Sequence, residues 1–285
     1  MAHSREPRRQ SYPPEATSRS LVYGVDFSGA ADAGRRLWVT RAKQSPRRLR
    51  VETCVPGRSL PGSGKDRPAC LAALRSLIAA APRAAVGLDF PFSLPAALLG
   101  DQPWVEFVLC FAERFSTPQA FRRACLRQAG GREWKRETDR ENRTPFSPYN
   151  LRLYRQTYYG VRDVLAPLVR GELADVLPMQ PAEPLRPWLL EICPASTLKV
   201  RGLYTPYKGR SAAHRAARAG ILDALETADG LRFAEPAARQ TALEDAGGDA
   251  LDSMIAALAT GRALRTSPDR PGGDPLQQCE GRVFV

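Results

Sequence analysis

The hydrophobic pattern divides the chain into short strands and longer helices. Residues 21–25 form a continuous apolar run ending at Asp26, as expected of a strand covered on both faces. A second strand is predicted over residues 36–43, carried by Leu37, Trp38 and Val39. After a Gln44-Ser45-Pro46 turn, Leu49, Val51, Thr53 and Val55 alternate with Arg50, Glu52 and Cys54, the period of a half-exposed strand. Three neighbouring antiparallel strands are the expected outcome. Residues 65–81 place Leu71, Leu74, Leu77 and Ile78 at helical spacing, with Ser63 or Asp66 as cap. Residues 84–88 predict a second buried strand, ending at Asp89, and residues 188–193 a third, containing Glu191. Further helices are predicted over 102–130, 150–170 and 208–228. Leu251, Met254, Ile255 and Leu258 mark a final amphipathic helix entered through Gly247-Gly248. The polar segment 131–150 is long for a loop, a class often mobile and functional. Residues 1–19, rich in Pro, Ser and Arg, read as a disordered tail. Residues 20–285 read as one domain carrying a basic helical and loop insertion at about 100–180.

Composition narrows the function classes. A 285-residue chain that is 43% hydrophobic can bury a full core, and no apolar run approaches the roughly 18 residues of a membrane span. The N-terminus lacks the apolar stretch of a secretory signal, so a cytoplasmic protein is expected. Lys and Arg number 42 against 30 Asp and Glu, a net charge of +12 that suits either a polyanionic partner such as nucleic acid or plain solubility. The surplus is uneven, which favours the partner: residues 35–50 hold seven basic groups and no acid, and residues 114–155 hold eleven basic and four acidic groups. The six cysteines are dispersed without a Cys-x-x-Cys, and the two histidines are His3 and His214. Zinc sets and His-assisted nucleophiles therefore have almost nothing to draw on. Gly62-Ser63-Gly64-Lys65-Asp66 imitates a phosphate loop, but Ser59 stands where the first Gly is needed and Asp66 replaces the Ser/Thr.

The remaining candidate chemistry is carboxylate chemistry. On a helix Asp245, Asp249 and Asp252 fall within roughly 60° of one another, unless Asp245 precedes the helix. The C-terminal ends of strands in an α/β sheet share one edge, so Asp26, Asp89, Asp249 and Asp252 are expected to meet there. Grouped carboxylates repel unless a cation neutralises them, and an all-oxygen set suits Mg²⁺ or Mn²⁺, with two ions able to drive phosphodiester hydrolysis. Glu191 is a further ligand, a base, or a hydrogen-bond partner of the last helix. Lys208 and Arg210, after Tyr207 at a predicted helix start, either hold a phosphate or cap the helix. Ser28 beside Gly29 allows close approach of a ligand to the backbone, or simply forms a tight turn. Arg155 lies in a run, 150–159, that mixes Arg with Tyr as single-strand binding surfaces do, although Leu151, Tyr154 and Tyr158 also have core spacing.

The segments Tyr23-Gly24-Val25-Asp26-Phe27-Ser28-Gly29-Ala30, Val86-Gly87-Leu88-Asp89-Phe90-Pro91, Glu191-Ile192-Cys193-Pro194, Tyr207-Lys208-Gly209 and Gly248-Asp249-Ala250-Leu251-Asp252-Ser253 resemble the successive motifs of the family catalogued as domain of unknown function 429. Residues 280–285 resemble its closing strand. The resemblance implies an α/β, RNase H-like fold: a mixed five-stranded sheet, three antiparallel strands first, flanked by helices. It also implies metal ligation by Asp26, Asp89 and Asp249 or Asp252, where the family tends to show two adjacent acids and this chain has Gly248-Asp249. The resulting expectation is a divalent-metal-dependent nuclease with Asp26, Asp89, Glu191, Asp249 and Asp252 as catalytic carboxylates. Two other classes share the fold: a nucleotide-binding phosphotransferase of the actin and sugar-kinase type, and a nucleic-acid-binding module without turnover. Asp26-Phe27-Ser28-Gly29 lacks the Gly two residues after Asp that the former places in its phosphate loop.

Overall fold

The computed structural model describes residues 19–266 and 274–285; most of the expected tail lies outside the described residues. The described residues form a mixed sheet of eight strands: β1 (Leu21–Asp26), β2 (Trp38–Ser45), β3 (Arg48–Pro56), β4 (Ala85–Leu88), β5 (Asp175–Leu177), β6 (Trp188–Ile192), β7 (Leu231–Phe233) and β8 (Val283–Phe284). Their order is β5-β6-β4-β1-β2-β3-β7, with β8 continuing beside β6. Only β2 is reversed: it is antiparallel to β1 and β3, and every other pairing is parallel. The first three strands form the antiparallel unit their alternation predicts, and β1, β4 and β6 are the buried apolar runs. The expected five strands are extended by β5 and β7, each three residues long, too short to show a period.

The two faces of the sheet bury different cores. Tyr23, Val25, Val86 and Leu88 point into a core shared with the helix Arg67–Ala79 and with the helices between β4 and β5. Val22, Ala42, Leu49 and Val51 point to the other face, against the helix Asp249–Arg265. That helix is not amphipathic as expected. It is buried nearly all round, from Ala250 to Ala263, with the sheet on one side and the helices Pro194–Val200 and Pro236–Glu244 on the other. Small residues allow this: a Cβ at Gly24 would lie 2.1 Å from Ala257 N and Ser253 O, and one at Gly87 2.0 Å from Thr260 Oγ1. The helix backbone therefore rests almost directly on β1 and β4.

Residues 96–170, within the insertion, hold short helices, expected as longer ones over 102–130 and 150–170. The first breaks into Trp104–Leu109, Phe111–Arg114 and Pro118–Gln128, around an aromatic cluster of Phe107, Phe111, Phe115, Phe121 and Tyr158. Among the described residues no helix is long and apolar enough to cross a membrane, and all six cysteines are free thiols.

Gly24→Ala should lower stability by about 1–3 kcal/mol, because the atoms it meets are backbone and cannot yield by rotamer change. Gly220→Ala, in the helix Ala212–Ala228 with open space around it, should instead raise stability by about 0.5–1 kcal/mol. Paired thermal melts of the two variants check both signs.

Candidate functional site

A strand alternates its side chains, so residues two apart share a face. Gly24 and Asp26 on β1, and Gly87 and Asp89 at β4, thus face the same helix, and the glycines that admit it sit one step before each carboxylate. At its N-terminus the helix begins after Gly248, whose φ of +76° is a left-handed turn. Asp245 lies ahead of the helix and accepts from Gly247 N at 3.2 Å and Ala250 N at 2.9 Å, which makes it a cap. Asp252, one turn in, is buried, and Asp249 is partly exposed. Tyr207 and Lys208 arrive on a loop: the helix expected from 208 starts at Ala212 with Ser211 as its cap.

The two loop residues complete the cluster. The Tyr207 hydroxyl donates to Asp252 Oδ1 at 2.5 Å. Lys208 Nζ lies 2.6 Å from Asp252 Oδ2 and 3.4 Å from Asp249 Oδ1. Burial raises Asp26 well above the usual carboxylate range, reinforced by Asp252 and opposed by Lys208. Burial and then Asp252 push Asp89 up to about 8, again opposed by Lys208. Asp249 is also raised, by burial, against the pull of Lys208. Burial lowers the Lys208 ammonium, but Asp252 and Asp26 outweigh it and hold the proton on. Tyr207 is held neutral by burial and by the Asp252 charge.

This arrangement overturns the expected metal centre. Among the described residues no group of three or more His, Cys, Asp or Glu is placed to hold a metal ion. The physical reason is visible at Asp252: one oxygen takes the tyrosine hydroxyl and the other takes the lysine ammonium. Lys208 supplies the positive charge that grouped carboxylates require, so Mg²⁺ or Mn²⁺ does not fit the side chains of Asp26, Asp89, Asp249 and Asp252. The expected metal-dependent hydrolase, and with it the nuclease reading of these carboxylates, is withdrawn on the same ground.

Glu191 spends its hydrogen bonds neither on the helix Asp249–Arg265 nor as a free base at the cluster. Its Oε2 accepts from Phe92 N at 2.9 Å and from Arg136 Nη1 at 2.7 Å, and its Oε1 pairs with Arg136 Nη2. Burial raises its pKa, and the Arg136 charge opposes that rise. Arg136, fully buried, also donates from Nε and Nη2 to Asp139 at 3.0 and 2.8 Å and from Nη1 to the Glu280 carbonyl at 3.0 Å. All five N–H donors of the guanidinium are thereby used. The segment 131–150 is pinned to β6 by this residue. Ser28 Oγ accepts from Ala30 N at 3.3 Å in a tight turn. Arg155 is exposed, with its Nε on the Tyr154 hydroxyl at 3.0 Å, and Arg210 is exposed beyond the cluster. None of these three lines the cavity described next.

A cavity of about 460 Å³ opens at the carboxyl ends of β4 and β6, with Asp89, Asp252 and Lys208 in its lining. The pinned segment gives one wall through Thr144, Pro145 and Phe146, with Arg152 and Gln156 behind it, and Tyr204 to Tyr207 give another. Gln156 Nε2 donates to the Phe27 carbonyl at 2.7 Å, fixing this wall to the loop after β1. Arg152 lies over the Phe146 ring at 5.5 Å and Lys199 over the Tyr204 ring at 5.3 Å. Cys193 lines the floor, its thiol pushed up to about 12 by burial and by Asp89, and is therefore no nucleophile. Arg136, Phe146, Arg152 and Tyr204 were not singled out as site residues from sequence. The one available signal was the aromatic residues interspersed among cations over 131–159.

A carboxyl whose pKa rises from 3.8 to about 8 on folding makes the native state bind more protons between those values, so stability falls as pH rises through that window. Asp89→Asn should remove this loss, gaining on the wild type by about 1.4 kcal/mol for each pH unit climbed through the window and by nothing near its acid end; thermal melts across pH check it. Arg136→Met should cost about 3–5 kcal/mol, since it leaves two buried carboxylates unpaired, as chemical denaturation will read. Millimolar Mn²⁺ should leave the melting temperature of the wild type unchanged.

Neither the curated proteins nor the solved structures contain a match to this chain. A family model does match it, over residues 24–275, under the description "Protein of unknown function (DUF429)". That span takes in β1, β4, β6, the Tyr207-Lys208 loop and the helix Asp249–Arg265, so the site just described lies inside the matched region. The chain belongs to that family of unknown function, DUF429.

Proposed function

We propose that this protein is a nucleic-acid-binding module of RNase H-like topology, which seats an unstacked nucleotide in the cavity without metal-dependent turnover. The strand order supports the topology: a third, second, first and fourth strand side by side, then β6, with only the second reversed. The observation that carries the function is the cavity. At about 460 Å³ it falls within the range of ~300–1,000 Å³ usual for small-ligand sites. Its walls offer the two things a nucleotide needs, aromatic faces at Phe146 and Tyr204 for the base, and cations at Arg152 and Lys208 for the phosphate. Asp89 carries a proton at neutral pH, so it hydrogen-bonds a base edge without repelling the backbone. The net charge of +12 brings a polyanion to the surface. The phosphotransferase reading fares less well, because the turn after β1 is closed on itself: Ser28 holds Ala30 N, and a Cβ at Gly29 would lie 2.7 Å from the Arg155 carbonyl.

Fluorescence anisotropy with labelled single-stranded DNA, single-stranded RNA and duplex, at several salt concentrations, tests the proposal. Single strands are expected to bind more tightly than duplex, and Arg152→Ala, an exposed change, to weaken them about tenfold while lowering the salt slope by about 0.7. Absence of binding to every oligonucleotide sinks the reading. Affinity should also fall as pH rises through about 8, because Asp89 then adds a negative charge beside the phosphate. A loss of about tenfold is expected, and Asp89→Asn should flatten the profile.

A further inference from the structure

Four of the seven basic groups of residues 35–50, Lys43, Arg47, Arg48 and Arg50, lie away from the cavity. Antiparallel pairing of β1 with β2 sets Asp26 opposite Trp38 but Leu21 opposite Lys43, so the β2–β3 hairpin end lies at the far edge of the sheet. Five residues of strand separate the two rows, about 17 Å. Pairing there sets like charges directly against one another. Lys43 opposes Arg50 between β2 and β3, and Arg50 opposes Arg232 between β3 and β7, giving one row of three cations across three strands. Leu49, Val51 and Leu231 on either side are buried toward the last long helix, so the cations stand on the other face, exposed.

Like charges directly opposite destabilise a sheet, and the compensation within the protein is incomplete. Glu52 pairs with Lys43 at 3.3 Å and also with Arg41. Among the described residues Arg48 and Arg50 have no ion-pair partner. Arg232 is held in place by donating from Nη1 to the Glu226 and Leu231 carbonyls, which fixes its direction and leaves its charge unneutralised. A depression of about 370 Å³ lined by Lys43, Gln44, Ser45, Arg48, Arg50 and Arg232 lies over the row.

We infer that this row is a second nucleic-acid contact, which grips the phosphodiester backbone away from the cavity and carries no base recognition. Neighbouring strands are about 4.8 Å apart, so the row spans about 10 Å of Cα positions. Long flexible Arg and Lys side chains spread from that base reach successive phosphates, while the depression has no aromatic residue in its lining on which a base would stack. The inference rests on the nucleic-acid reading of the cavity, and adds to it a second, separable point of attachment.

The test uses the full chain, the double variant Arg50→Gln/Arg232→Gln, and two labelled single strands: one just long enough to fill the cavity and one long enough to reach both places. For the long strand the double variant should bind at least tenfold more weakly, with a salt slope lower by about 1.4, at about 0.7 per phosphate contact. For the short strand it should bind as the wild type does. Unchanged binding and slope with the long strand overturn the second contact while leaving the cavity reading intact. Equal loss with both strands also overturns it, because the row would then act on the cavity and not as a separate contact. Failure of the wild type to bind either strand rejects the cavity reading itself. Poly-glutamate that displaces the long strand from the wild type better than unlabelled oligonucleotide of equal charge would reassign the row to an acidic protein.

Discussion

Everything at the carboxyl edge depends on how closely one helix can approach the sheet. Helices ordinarily stand off a sheet by the length of their interlocking side chains, about 10 Å between layers. Here Gly24 and Gly87 remove those side chains from the two central strands, and Ser253, Ala256, Ala257 and Thr260 keep the helix side small. The layer collapses onto backbone contact. Because a strand repeats every two residues, the same face that loses its side chains at Gly24 and Gly87 presents carboxyls at Asp26 and Asp89. Close approach and carboxylate convergence are therefore one geometric event, and the helix N-terminus delivers Asp249 and Asp252 into it.

Such convergence creates an electrostatic debt, and two cations of the chain settle it in different ways. Lys208 enters from a loop and is half-exposed, sharing its ammonium between Asp249 and Asp252. Arg136 enters from the insertion and is sealed in, with every donor matched to Glu191, Asp139 and the Glu280 carbonyl. The first arrangement tempers the burial that raises Asp26 and Asp89 and leaves charge within reach of a ligand. The second leaves nothing reactive and fixes the cavity wall. Glu191 within β6 and Asp89 just after β4 belong to buried strands that lie side by side, yet the cation each one meets gives it a different chemistry.

Much of this was legible in the residues. Continuous apolar runs ending in Asp marked β1 and β4, the alternation of residues 49–55 marked β3, and the glycine pair at 247 and 248 marked the start of the last long helix. The rest was hidden for physical reasons. Ala, Gly and Thr carry little hydrophobic contrast, so a helix buried on every side looked amphipathic through its four large residues alone. Arg136 stands in one of the most charged stretches of the chain, where composition predicts solvation, and its burial follows only from partners 55 and 144 residues away. The expectation of metal ions correctly sensed that the carboxylates need a cation. It missed that Lys208, over 40 residues from Asp249 in sequence, is that cation.

Residues 280–284 have a role in when the cavity can exist. Glu280 holds Ala96 N with one carboxylate oxygen and Glu137 N with the other, Val283 N donates to Thr138, and β8 pairs with the outer half of β6. The wall of the cavity is thus fastened by residues 143 and 145 positions further along the sequence. During synthesis the first strands can assemble before this wall closes, and the wall lacks its fastening until residues 280–284 have emerged. Docking of residues 280–284 is then the step that gives the carboxyl cluster its wall.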